Sequence, residues 1–212
     1  MGYDIYGMNP KVNKVYPDRY NEIMNKYGDK DGWLDWSKEI PEDVKEEYFE
    51  LKDNYETDNP GSYFRNNVWW WRPLWSYVCN ICEDFMTHDE MDGGCSNSGF
   101  QISEEVALKI SKRLSEEIGN GNVDKVALEH ETKRLQEKAH NKEVRKELDK
   151  ITKACQKEHG KDVVPANYPE PYNTQWNECY AKEIWSANYP FSKENVENFA
   201  TFCQQSGGFE IC

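Results

Sequence analysis

The chain has 212 residues, of which 37% are hydrophobic, 14% aromatic and 31% charged, and its formal net charge is -13. That length admits one domain with an appendage, and the apolar content suffices for a core. The acidic balance excludes bulk binding to a nucleic-acid backbone, which needs clustered Lys and Arg, and no apolar window of 18 residues offers a helical membrane span.

The charge is uneven. Residues 1–100 hold 10 basic and 20 acidic side chains, whereas residues 101–160 hold 13 and 12. The start, MGYDIYGMNP, places an aspartate where the apolar run of a signal peptide belongs. Tyr6 replaces the Ser or Thr of a myristoylation pattern. Seven cysteines without a secretion signal predict reduced thiols and a cytoplasmic location.

In chain order, alternation in MGYDIYG predicts a short strand, with Tyr3 and Ile5 on one face. Residues 9–62 are rich in turns at Pro10, Pro17, Gly28, Asp31-Gly32, Pro41 and Pro60-Gly61. Short helices fit between them, over 17–27 and 41–53. Residues 68–87 read as a helix started or interrupted by Pro73, and THDEMDGGCSNSG at 87–99 reads as a loop. Ser103 caps the next helix, whose Ile102, Val106, Ile110, Leu114 and Ile118 recur every four residues until GNGN ends it.

Residues 123–159 carry two apolar seams, Leu128-Thr132-Leu135-Ala139 and Val144-Leu148-Ile151-Cys155. The seams do not join at heptad spacing, which predicts a kink or break near Asn141. Residues 162–174 read as a proline-rich connector, and 174–187 as a helix. Phe191 and Ser192 open a final helix, which Gly207 or Gly208 stops. The tail GGFEIC is a second short strand that can pair with the first. The fold class expected is mainly α: one helical domain over 1–212, with 119–160 as an embedded charged hairpin arm and a small terminal β pairing.

Four of the eight tryptophans lie between Trp69 and Trp75 in YFRNNVWWWRPLW. In a helix, three adjacent indoles spread over roughly 200° and cannot share one core face. The expected recognition surface therefore comprises Trp69, Trp70 and Trp71, with Arg65 and Arg72 to take a phosphate and Asn66 and Asn67 to orient a ligand. Burial in two layers accounts for the same run without function.

Cys79, Cys82, His88 and Cys95 read C-x2-C-x5-H-x6-C, a set of zinc-ligand types. The alternative is buried or free thiols on an apolar helical face. DKDGWLD fails as a calcium loop: with Gly32 in the sixth position, Tyr27 and Lys38 stand where carboxylates are required. No G-x-S-x-G, H-E-x-x-H or P-loop occurs.

MGYDIYGMNP, YFRNNVWWWRPLW, the GF-x-I-S helix onset at 99–103 and SGGFEIC resemble an uncharacterised family of small acidic proteins carried by bacteriophages and some bacteria. The resemblance covers the first ten residues, the tryptophan block, helix 103–118 and the C-terminal helix with its tail. It implies a protein of the host cytoplasm, made during phage infection, that acts by binding a host component.

The sequence thus predicts a non-enzymatic binding protein without a cofactor, which uses a Trp/Arg surface to hold a host protein or a nucleotide-like small molecule. One alternative is a metal-assisted or nucleotide-processing enzyme using Cys79, Cys82, His88 and Asp92, with zinc as the metal. Another is an assembly subunit that oligomerises through 123–159.

Overall fold

The computed structural model describes residues 2–30 and 32–212; Met1 and Asp31, the latter in the turn expected at Asp31-Gly32, lie outside the described residues. The chain divides into two compact units. Residues up to Gly121 together with Lys193–Cys212 form one, and Asn122–Ser192 form the other.

Four strands form one antiparallel sheet in the first unit: β1 (Gly2–Gly7), β2 (Tyr63–Asn67), β3 (Phe100–Ile102) and β4 (Phe209–Ile211), in the order β2-β1-β4-β3. The terminal pairing occurs as expected, with Ile5 opposite Ile211. Two short strands alone are marginal in water, and two unforeseen ones complete the sheet. β2 lies in the YFRNN run that precedes the tryptophans. β3 is a correction: Phe100–Ile102, read as part of a helix onset, is extended, and Ser103 then caps the helix by accepting from the Val106 N–H at 3.3 Å.

Eight helices are described: α1 (Asp18–Tyr27), α2 (Glu42–Asp58), α3 (Val68–Cys82), α4 (His88–Gly93), α5 (Glu104–Gly119), α6 (Asn122–His159), α7 (Tyr172–Tyr180) and α8 (Lys193–Gln205). The molecule is mainly α with a small sheet, as the sequence predicts. Gly207 and Gly208 take positive φ after α8, a backbone that glycine adopts without a Cβ clash. Pro73 does not start α3 but lies inside it. The start is at Asn67, whose side chain accepts from the N–H groups of Trp69 and Trp70.

Alternation in β1 turns Tyr3 and Ile5 inward, and both are buried. They meet an aromatic core. Phe199 of α8 packs on Phe64, Trp71, Phe202 and Phe209 with ring centroids 5.1–6.0 Å apart. A separate apolar cluster, Ile23, Leu34, Ile40 and Tyr48, lies between α1, α2 and the loop that joins them.

In the second unit, α6 is one continuous helix of 38 residues, so the expected break near Asn141 does not occur. Nor is 119–160 a hairpin on itself; the elements that pack on α6 within this unit are α7 and the 3-10 turn Trp185–Asn188. Asn141 explains why the helix runs on. Its side-chain amide donates to the Ile184 carbonyl and accepts from the Ile184 N–H, each at 2.8 Å, so a polar residue in an apolar register has both its nitrogen and its oxygen bonded. The two seams have different fates. Val144 and Leu148 bury themselves with Cys179, beside Ile151 and Trp176. Leu128 and Leu135 stay 71% and 55% exposed.

Asn141→Ala removes both bonds to Ile184. We expect a loss of about 2 kcal/mol, read as a lower urea midpoint for the transition reported by Trp176 and Trp185. An unchanged midpoint would contradict the clamp.

Candidate functional site

Helical spacing sorts the side chains of α3 onto two faces. Trp71, Leu74, Trp75, Val78 and Cys82 are buried. Trp69, Arg72, Ser76 and Cys79 follow at i, i+3, i+7 and i+10 and form a stripe on the accessible side. The segment facing that stripe is α4 and the residues after it, where the sequence predicts only loop. Thr87 and Glu90 make a capping box: the Thr87 hydroxyl accepts from the Glu90 N–H at 3.2 Å, and the Glu90 carboxylate accepts from the Thr87 N–H at 2.7 Å. That T-x-x-E spacing was the available signal for α4.

Two indoles tie α4 to α3. Trp71 donates its Nε1–H to the Gly94 carbonyl at 2.7 Å, and Trp75 donates to the Met91 carbonyl at 2.8 Å. Their rings stack 5.2 Å apart at 16°. A Cβ on Gly94 would fall 1.9 Å from Cε2 of Trp75, so only glycine lets the backbone lie on the ring.

A cleft of about 520 Å³ opens above this pair. Arg72, Ser76 and Cys79 line the α3 side, and Met91, Asp92 and Cys95 line the other. The arrangement provides a guanidinium, a hydroxyl, a carboxylate, a thioether and two thiols over a rigid aromatic floor. Such a mixture suits a small polar ligand with an anionic group; the floor indoles have almost no accessible surface, so a planar ring can meet an indole face only at Trp69.

The recognition residues predicted from sequence are only partly brought together. Arg72 and Trp71 meet at the cleft. Trp71 and Trp75 are 0% and 2% exposed, so Trp71 is floor and not a stacking face. Trp69, 39% exposed, carries accessible ring surface one turn before Arg72, and Trp70 is half-buried. Arg65 sits elsewhere, on β2, 3.5 Å from Asp4 and beside a groove formed with Asn195 and Asn198. Asn66 and Asn67 serve the fold: Asn66 donates to the Asn195 side chain at 3.0 Å, and Asn67 caps α3. Neither lines the cleft.

The C-x2-C-x5-H-x6-C set is not assembled either. Cys79 and Cys95 share the cleft, Cys82 is buried in the core, and His88 opens α4. Among the described residues no three His, Cys, Asp or Glu side chains are placed to hold one metal ion. All seven cysteines are free thiols. Burial pushes the Cys79 thiol up to about 11, with Cys95 adding to the shift. Burial likewise pushes Cys82 up to about 12, against the nearby Arg113 guanidinium. Neither is a thiolate at neutral pH, so neither is poised as a nucleophile.

No helix among the described residues is long and apolar enough to cross a membrane. No protein-family model matches this chain, nor does any curated protein or solved structure.

We expect Gly94→Ala to displace the Trp75 ring and cost about 2 kcal/mol or more, with loss of near-ultraviolet circular dichroism from the stacked indoles. An unchanged spectrum would contradict the floor geometry. Iodoacetamide at pH 8 should label exposed Cys95 well before Cys79, because a thiol titrating near 11 holds only ~0.1% thiolate there. Peptide mass spectrometry at several pH values checks this, and equal labelling at pH 8 would contradict the assignment.

Proposed function

We propose that this chain is a non-enzymatic binding protein that holds a nucleotide-like small molecule in the cleft between α3 and α4. The observation that carries this reading is the cleft itself: a fixed indole floor with exposed Arg72 on its rim and Trp69 one turn away on the same stripe. Trp69 would stack on a base, and stacking tolerates many bases because each has a π face. Arg72 would take a phosphate, and Asp92 would accept from an amino edge of the base. The resemblance of the YFRNNVWWWRPLW block to a phage-borne family supports a setting in the host cytoplasm, where capture of the ligand would modulate the host.

The test is isothermal titration calorimetry with AMP, GMP, CMP and UMP, each carrying a single phosphate. At least one should bind, Arg72→Gln should weaken it at least tenfold, and Trp69→Ala should cost roughly 1–3 kcal/mol of binding. No heat across the panel, or binding indifferent to both substitutions, would overturn the reading and favour a host protein as the partner.

A second reading is self-association through α6. The observation that favours it is the pair Leu128 and Leu135, seven residues apart and both largely exposed. Light scattering should then give a dimer that Leu128→Lys with Leu135→Lys converts to monomer. A monomeric parent protein would contradict it.

A further inference from the structure

The second unit carries another cleft, of a different chemistry. Its volume is about 510 Å³, and the α6 side is formed by Lys138, Lys142, Arg145 and Lys146, with Asn141 at the base and Asn188 on the facing turn. Positions 138, 142, 145 and 146 fall on one face of a helix. Four cations on one face stand out in a chain of net charge -13.

The wall opposite α6 is fixed in place. Asn141 holds both backbone groups of Ile184, His140 bonds the Lys182 carbonyl at 3.0 Å, and Arg145 reaches the nearly buried Glu183 carboxylate at 2.6 Å. Arg145 is therefore committed to the wall. Lys146 pairs with Glu143 at 2.8 Å in an exposed i,i+3 contact, which a ligand can displace at little cost. Asp149 at the far end pairs with Lys153 at 2.5 Å. Lys138 and Lys142 make no ion pair or hydrogen bond among the described residues; they act only at longer range, on Glu131 and Glu143.

We propose that this cleft binds a small ligand bearing two or more phosphate groups. Lys138 and Lys142 stand four residues apart, about 6 Å along the helix axis, a separation that a diphosphate or triphosphate chain spans. Their ammonium groups are the charges left for a ligand to neutralise, and the Lys146 ammonium extends the row by another turn. The amide of Asn188, on the fixed wall, offers a neutral donor to a phosphate oxygen. A cleft of this volume fits a small molecule rather than a nucleic-acid duplex. The site is independent of the cleft at α3.

The probe is inorganic tripolyphosphate, titrated calorimetrically into the full chain at low salt. Binding is expected, with affinity that falls as salt rises. Lys138→Gln with Lys142→Gln should weaken it at least tenfold with an unchanged far-ultraviolet spectrum, whereas Lys138→Arg with Lys142→Arg and Arg72→Gln should each retain it. Absence of binding by the parent chain would overturn the proposal, as would equal affinity in the double Gln variant. Equal affinity for citrate would overturn the phosphate assignment, and tighter binding of a short single-stranded RNA would assign the cleft to a nucleic acid instead. If the double Gln variant loses its fold, the salt dependence and citrate comparison on the parent chain still decide the matter.

Discussion

The indole of Trp71 is the point on which the first unit depends. It is fully buried, stacked between Tyr3 and Trp75, and set edge-on against Phe199. Burial of one large aromatic side chain contributes about 4–6 kcal/mol gross. That gain requires a partner for the indole N–H, because a buried unpaired donor costs about 1–3 kcal/mol. The Gly94 carbonyl supplies it. A single side chain thereby fixes the sheet, α3, α8 and the end of α4 against one another, and the candidate cleft is the space left above it.

Surface electrostatics contribute little by comparison. Arg65 stands 3.5 Å from Asp4 with most of its side chain in water, and such pairs are worth about 0–1 kcal/mol. Asp4 matters more as the acceptor for the Tyr63 hydroxyl across the β1–β2 pair. In the second unit the organising contact is again a polar side chain bonded to backbone. Asn141 holds the peptide of Ile184 from within a continuous helix, and Val144, Leu148 and Cys179 pack one turn and more beyond it.

Much of the fold was legible where local chemistry decides it. The alternation of Tyr3 and Ile5, the Ser103 cap and the glycines after α8 all act as their residue types require. The β2 strand was hidden because YFRNN shows no clean alternation, and β3 because three residues before a capped helix give no period. The break expected near Asn141 failed for a physical reason: a displaced seam marks a change of neighbour as readily as a change of direction. Leu128 and Leu135 face solvent, while Val144 and Leu148 pack with Cys179 of α7, and one unbroken helix carries both seams. At the site, the three adjacent indoles divide between two faces of α3. Trp71 went inside and Trp69 outside, as helical angles demand. The roles of Asn66 and Asn67 were not legible, since a cap and a cross-element amide pair look the same in sequence as a pair of ligand contacts.

The two clefts divide the chemistry. One has an aromatic floor, a single guanidinium and a carboxylate; the other has a row of ammonium groups on a helix. The central claim is that the first of them recognises a base-bearing ligand through an indole scaffold that is already in place. Nuclear magnetic resonance of the indole Nε1–H groups reports this at atomic level. On addition of AMP or GMP, the Trp69 resonance should move most and those of Trp71 and Trp75 should shift less, with their hydrogen bonds intact, while Trp33, Trp36, Trp176 and Trp185 stay in place. Resonances of Trp69, Trp71 and Trp75 that do not respond at saturating nucleotide, or shifts confined to the other indoles, would contradict the account.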